Sequence, residues 1–174
     1  MAHLIAFDQF DLFAGDLNFY TQAFYDDELL EDANLIFNGV TYPDYYWVNG
    51  YDGLNDLQLE FLGTGFQRNA QGAFVAGTIN LVAEFDLDKP TAPMWFVFDT
   101  SISAVALYSA ALTISTADEQ LIYRQALSGD DSIELSIHAD RVAAYSGNDV
   151  ILGKGGNDDI DGGPAGDPLP GGAG

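Results

Sequence analysis

Five aspartates stand nine residues apart toward the end of the chain: Asp131, Asp140, Asp149, Asp158 and Asp167. Two positions after each comes an aliphatic residue, in order Ile133, Val142, Ile151, Ile160 and Leu169. Few backbones accept that repeat. Glycines beside the aspartates supply the positive φ that a tight turn needs, so each turn brings backbone carbonyls and a carboxylate toward one point. The three residues after the turn have room only for a very short strand. Alternation along it sends the middle residue, the aliphatic one, inward to a narrow core.

The turns are uneven. Gly147-Asn148-Asp149 and Gly156-Asn157-Asp158 are the best formed, and Gly129-Asp130-Asp131 is close to them. His138-Ala139-Asp140 lacks the glycine, and Ala165-Gly166-Asp167 has it shifted by one place. The period and its residues match the nonapeptide GGxGxDxUx, and the tail from residue 129 to 174 resembles the RTX family of calcium-binding repeats. More loosely, Phe61-Leu62-Gly63-Thr64-Gly65-Phe66, with Gly72 and Gly77-Thr78, looks like the β-rich region that precedes such arrays.

The resemblance implies a short calcium-binding parallel β-roll in which two nonapeptides make one coil. Asp131, Asp149 and Asp167 would then line one side, and Asp140 and Asp158 the other. Coils stack about 4.8 Å apart. Two carboxylates at that distance repel by roughly 3 to 4 kcal/mol at an effective dielectric of about 20. A calcium ion, which takes about six to eight oxygen ligands, reverses the sign. The expected metal residues are Gly129, Asp131, Asp140, Gly147, Asn148, Asp149, Gly156, Asn157, Asp158 and Asp167. They make up to three sites, between 131 and 149, 140 and 158, and 149 and 167, of which the first is the strongest; Asp149 belongs to two. Proline cannot donate to a ladder, so Pro168-Leu169-Pro170 reads as a cap on the array. Gly171 to Gly174 begins another turn, which leaves a truncated array open.

Upstream, residues 3 to about 99 read as strands. Leu57 to Phe61 alternates apolar and polar, Asn69-Ala70-Gln71-Gly72 is a turn, and Gly77 to Phe85 returns as the hairpin partner. Pro90 and Pro93 interrupt before a short strand from Met94 to Phe98. Asp26 to Asp32 (DDELLED) fits a loop or a short helical turn. Two helices follow, Ala104 to Leu112 with Ser103 as N-cap, and a second that opens on the capping box Thr116-Ala117-Asp118-Glu119 and stops at Gly129. The expected fold is mainly β: a β-rich domain over 1–128 ending in two helices, then the nonapeptide module over 129–174.

Twenty-seven acidic residues against five basic ones give a net charge of −22, which repels nucleic acid and anionic lipid and attracts multivalent cations. No cysteine is present, so disulfides and thiolate metal sites are excluded. The start, MAHLIAFDQFDLF, has no basic leader and carries Asp8 and Asp11, so neither a cleaved signal nor a membrane span is expected. Both points agree with the C-terminal export route that the resemblance implies, although no separate secretion signal follows the repeats. The chain has neither HExxH nor GxSxG, and its two histidines, His3 and His138, stand far apart in sequence. The expectation is a non-catalytic, secreted bacterial protein: a structural, adhesive or assembly subunit whose folding or association depends on calcium, with itself or an extracellular protein as partner. The alternatives are a carbohydrate-binding or small hydrolytic domain that uses the roll as a folding aid, or an accessory subunit of a larger complex. The aromatic run Tyr42-Pro43-Asp44-Tyr45-Tyr46-Trp47, with Tyr51, would be the glycan surface, unless it is a strand with an aromatic face in the core.

Overall fold

A computed structural model describes residues 1–14, 17–18, 20, 24–52, 54–89 and 92–169. Pro90, Pro170 and Gly171 to Gly174, which carried the expected interruption, cap and further turn, lie outside the described residues. The chain is mainly β with two helices. Its strands are β1 (His3–Ala6), β2 (Phe24–Leu30), β3 (Leu35–Phe37), β4 (Val40–Tyr42), β5 (Asp44–Tyr51), β6 (Asp56–Arg68), β7 (Phe74–Asp86), β8 (Trp95–Ser103), β9 (Ser132–Glu134), β10 (Arg141–Ala143), β11 (Val150–Leu152) and β12 (Asp159–Asp161). Helices α1 (Ala104–Ala111) and α2 (Ala117–Ala126) come between β8 and β9.

One mixed sheet of eight strands, in the order β11-β9-β1-β8-β7-β6-β5-β2, dominates. Its larger part is antiparallel, built on the long β6–β7 hairpin, whose turn closes through Asn69 N–H to Ala73 O and Gly72 N–H to Asn69 O, each 2.9 Å. Strand β1 is the junction. It runs antiparallel to β8 on one side and parallel to β9 on the other. The repeat strands pair in parallel two repeats apart, β9 with β11 and β10 with β12. They are not a free-standing parallel element, because β9 and β11 extend the large sheet.

Three apolar clusters hold these layers. Leu59, Phe61, Val82 and Ile102 face the helices and meet Leu107 and Ile122. On the opposite face, Leu62, Leu81 and Phe98 are covered by Tyr42 and by Phe37 of the β3–β4 hairpin. The third cluster joins the two ends of the chain, with Leu4, Phe10 and Leu12 packed on Ile133, Val142 and Ile151. Among the described residues no helix is long and apolar enough to cross a membrane.

Local expectations fare unevenly. Ser103 caps α1 by accepting from Ala106 N–H at 3.2 Å. The capping box does not form: Thr116 makes no side-chain cap bond, and Glu119 is fully buried instead of reaching back. Asp118 is taken by the Thr113 hydroxyl at 2.8 Å, which ties the first turn of α2 to the preceding loop. The acidic DDELLED stretch is neither loop nor helical turn; its first five residues lie in edge strand β2, antiparallel to β5. Repulsion among its carboxylates is relieved where Arg68 pairs with Asp27 and lies over the Tyr46 ring. The aromatic run divides between both sheet faces, Tyr46 stacking on Phe61 at 5.8 Å and Tyr45 joining the opposite cluster. Trp47 remains half-buried and Tyr51 exposed.

Gln120 of α2 connects helix, N-terminal segment and repeats. Its amide donates to Leu12 O at 2.9 Å, and its oxygen accepts from Tyr145 OH at 3.0 Å. Gln120→Ala leaves both groups without that partner, so we expect a loss of about 1–3 kcal/mol in urea denaturation. An unchanged midpoint would show that the helix merely rests on the repeats.

Candidate metal centre

The five periodic aspartates form two ladders. On one side, Asp131 N–H donates to Asp149 Oδ1 at 2.8 Å, and Asp149 N–H donates to Asp167 Oδ1 at 2.9 Å. On the other, Asp140 N–H donates to Asp158 Oδ1 at 3.0 Å. The carboxylates of Asp149, Asp158 and Asp167 therefore lie against the backbone of the turn 18 residues earlier, and the three expected pairs are each brought together. Strand register follows, since Ile133 faces Ile151 and Val142 faces Ile160. Ile133, Val142 and Ile151 are fully buried, while Val150 and Leu152 point outward at 41% exposure each. The pattern decays at the end, where Ile160 is half-buried and Leu169 is exposed. Pro168 O nonetheless accepts from Ile151 N–H at 3.2 Å, so the last turn lies alongside β11.

Glycine is required where turns stack. A Cβ on Gly147 would lie 1.9 Å from Gly129 O, and one on Gly156 would lie 2.1 Å from His138 O. Both glycines adopt positive φ, of 138° and 118°. Of the other expected metal residues, Asn148 donates its backbone and side-chain N–H groups to Asp130 Oδ1 at 2.8 and 3.3 Å, and Asn157 is exposed.

Charge separates the two ladders. Asp131 and Asp149 are about as buried as side chains become, at 1% and 0% exposure, yet the Oδ2 atom of each has no hydrogen-bond partner. Burial raises both carboxyls above the usual range, opposed by the Ala2 amide at Asp131 and by the Asp131 amide at Asp149. Asp140 is different. Its oxygens accept from Phe10 N–H, Ser136 N–H and the Ser136 hydroxyl at 2.7 to 3.0 Å. A buried carboxylate oxygen without a donor costs several kcal/mol unless a cation meets it. By that test the residues around Asp131 and Asp149 fit a hard divalent cation with oxygen ligands, and those around Asp140 fit it less well. No group of three or more acidic or histidine side chains converges among the described residues, so a cation there would draw further ligands from backbone carbonyls.

Sequence reasoning missed what lies above the first repeat. The Ala2 amide donates to Asp131 Oδ1, and the Phe10 amide donates to Asp140 Oδ1 at 2.7 Å. These are the places that an earlier nonapeptide would fill. Parallel pairing of β1 with β9, and of Asp11 with Arg141, continues both ladders into the N-terminus, Leu4 lying beside Ile133. The segment acts as a first coil, with Ala2 and Phe10 at the positions where the repeats carry aspartate. Its only trace in the sequence is a pair of leucines, Leu4 and Leu12, at a spacing of eight instead of nine.

Compared with protein-family models, curated proteins and solved structures, the chain matches none of them.

The raised carboxyls have a consequence for pH. A carboxyl raised in the folded state binds more protons there than when unfolded, so stability falls as pH rises above the ordinary carboxylate value. In chelator, the unfolding temperature should therefore drop as pH rises above about 4. Calcium should flatten or reverse that slope, as differential scanning calorimetry would show. A slope unaffected by calcium would place the titrating groups elsewhere.

Proposed function

We propose that the chain is a calcium-binding protein in which residues 129–169 form a short parallel β-roll of RTX type, and that it works outside the cell as a non-catalytic structural, adhesive or assembly subunit. One observation carries this reading: the stacked pair Asp131–Asp149, fully buried, with an unpartnered Oδ2 on each carboxylate. In the absence of a cation that pair opposes folding. With calcium bound, the positive charge would neutralise the carboxylates and draw stacked turns together. Asp131 and Asp149 would hold the first ion, with Asp167 and the Asp140–Asp158 pair contributing to weaker sites. Backbone amides fix the orientation of each carboxylate, so the ladder would present its second oxygen to the ion. Calcium-dependent folding suits export, because a chain that stays open at low cytosolic calcium closes only outside the cell.

The net charge of −22 supports an external, cation-rich setting and argues against nucleic-acid partners. The outward Val150 and Leu152 beside the β11 edge offer a small contact surface for another chain.

A calcium titration of the purified chain, followed by circular dichroism and light scattering together, tests the reading. We expect β signal and mass both to rise with calcium and fall with chelator. A rise in β signal at constant monomer mass would keep the calcium chemistry and reject assembly. No response up to millimolar calcium would reject the proposal.

A further inference from the structure

Beneath the two helices lies a cavity of about 430 Å³ that the repeats do not use. Its floor is the helix-facing side of the sheet, and Leu107 and the N-terminal segment supply its walls. Most lining side chains are apolar, among them Phe61 and Val82. The polar exceptions are Gln9 and the exposed Asp11 of the N-terminal segment, whose Oδ1 accepts from Phe13 and Ala14 N–H, and Glu84 on β7. Glu84 Oε1 accepts from Tyr20 OH at 2.7 Å, and its Oε2 accepts from Trp95 Nε1–H at 2.6 Å.

The arrangement has the form of a small-molecule site, a mostly apolar chamber with few polar groups, of which Glu84 is the carboxylate held by two side-chain donors. A carboxylate has about four acceptor positions, and Tyr20 and Trp95 fill one on each oxygen. Both donors are rigid aromatic side chains, so the carboxylate is held at one orientation. Burial raises the Glu84 carboxyl, and both donors oppose that shift. A cation placed against the acceptor positions that remain would remove the penalty of burying the charge. The surroundings also select for a cation: a chain of net charge −22 concentrates cations and repels anions. An apolar cavity of about 150 Å³ already holds benzene, so this one has room for a longer hydrocarbon body.

We propose that the cavity binds a small hydrophobic amine, its hydrocarbon body among Phe61, Val82 and Leu107 and its ammonium head on Glu84. Tyr20 and Trp95 are positioning residues for that carboxylate.

Isothermal titration calorimetry with hexylammonium, hexanol, hexanoate and methylammonium tests this on the full chain in calcium-containing buffer. Hexylammonium should bind at one saturable site, hexanol at least tenfold more weakly, and hexanoate and methylammonium not measurably. Glu84→Gln should weaken hexylammonium at least tenfold without altering the circular dichroism spectrum. Val82→Phe, which fills the chamber and leaves Glu84 in place, should abolish binding. Should Glu84→Gln fail to fold, Val82→Phe and the hexylammonium-to-hexanol ratio in the unaltered protein decide the matter. Absence of saturable heat, equal binding of methylammonium (ion pairing at the surface), or equal affinity in Val82→Phe would each overturn the proposal.

Discussion

Replacing Gly147 with alanine is expected to prevent the repeats from closing and to destabilise the chain by more than about 4 kcal/mol. The new Cβ would lie 1.9 Å from Gly129 O, 2.4 Å from Gly129 C and 2.9 Å from Asp130 N. All three are backbone atoms, so no side chain can swing aside. The φ of 138° adds a conformation that residues with a Cβ rarely adopt. Relief would require the two turns to separate, which pulls Asp131 N–H from Asp149 Oδ1 and opens the pair proposed to hold the ion. Gly166→Ala is the control, since a Cβ there meets nothing within 4 Å. That substitution should stay within about 0.5 kcal/mol of the unaltered chain. Urea denaturation with and without calcium reads both variants, and equal midpoints would refute the close stacking of turns.

The nonapeptide array was legible because its signal is periodic and depends only on neighbours along the chain. A nine-residue interval with an aliphatic two places on marks each short strand without any long-range information, while the pairing 18 residues apart was what the resemblance implied. The β6–β7 hairpin was legible for the same reason, its turn residues and alternation being local. DDELLED was misread because its acidity disfavours a strand, and what overrides that is tertiary: pairing with β5 and the ion pair from Arg68. Thr116 to Glu119 satisfies the capping pattern, yet Glu119 is drawn into the interior, where burial competes with the local bond. The N-terminal coil was illegible on different grounds. Its contacts with the repeats span 129 and 130 residues, and it contributes backbone amides, which any residue type except proline supplies. The Glu84 cavity shares that difficulty, since Tyr20 lies 64 residues from the carboxylate that it orients.

This asymmetry between side chain and backbone also makes the two ladders separable by substitution. Asp149→Asn should abolish most of the stabilisation by calcium while leaving the calcium-free chain as stable as before, or more so. The amide keeps an oxygen to accept from Asp131 N–H, replaces the unpartnered Oδ2, and removes a buried charge. In chelator it therefore relieves the repulsion from Asp131 and Asp167. With calcium it forfeits a ligand shared by two proposed sites. At a calcium concentration 100 times the dissociation constant, one site stabilises the unaltered protein by about 2.7 kcal/mol, and we expect most of that gain to vanish. Asp140→Asn should do the reverse. Phe10 N–H and Ser136 N–H approach different oxygens of that carboxylate, and an amide nitrogen cannot accept from either. One buried amide is left unpaired at a cost of about 1–3 kcal/mol, with or without calcium. Thermal unfolding of both variants in chelator and in millimolar calcium gives the comparison. If Asp149→Asn kept the full calcium shift, or Asp140→Asn alone lost it, the ion would belong to the other ladder, and the unpartnered oxygens of Asp131 and Asp149 would have another cause.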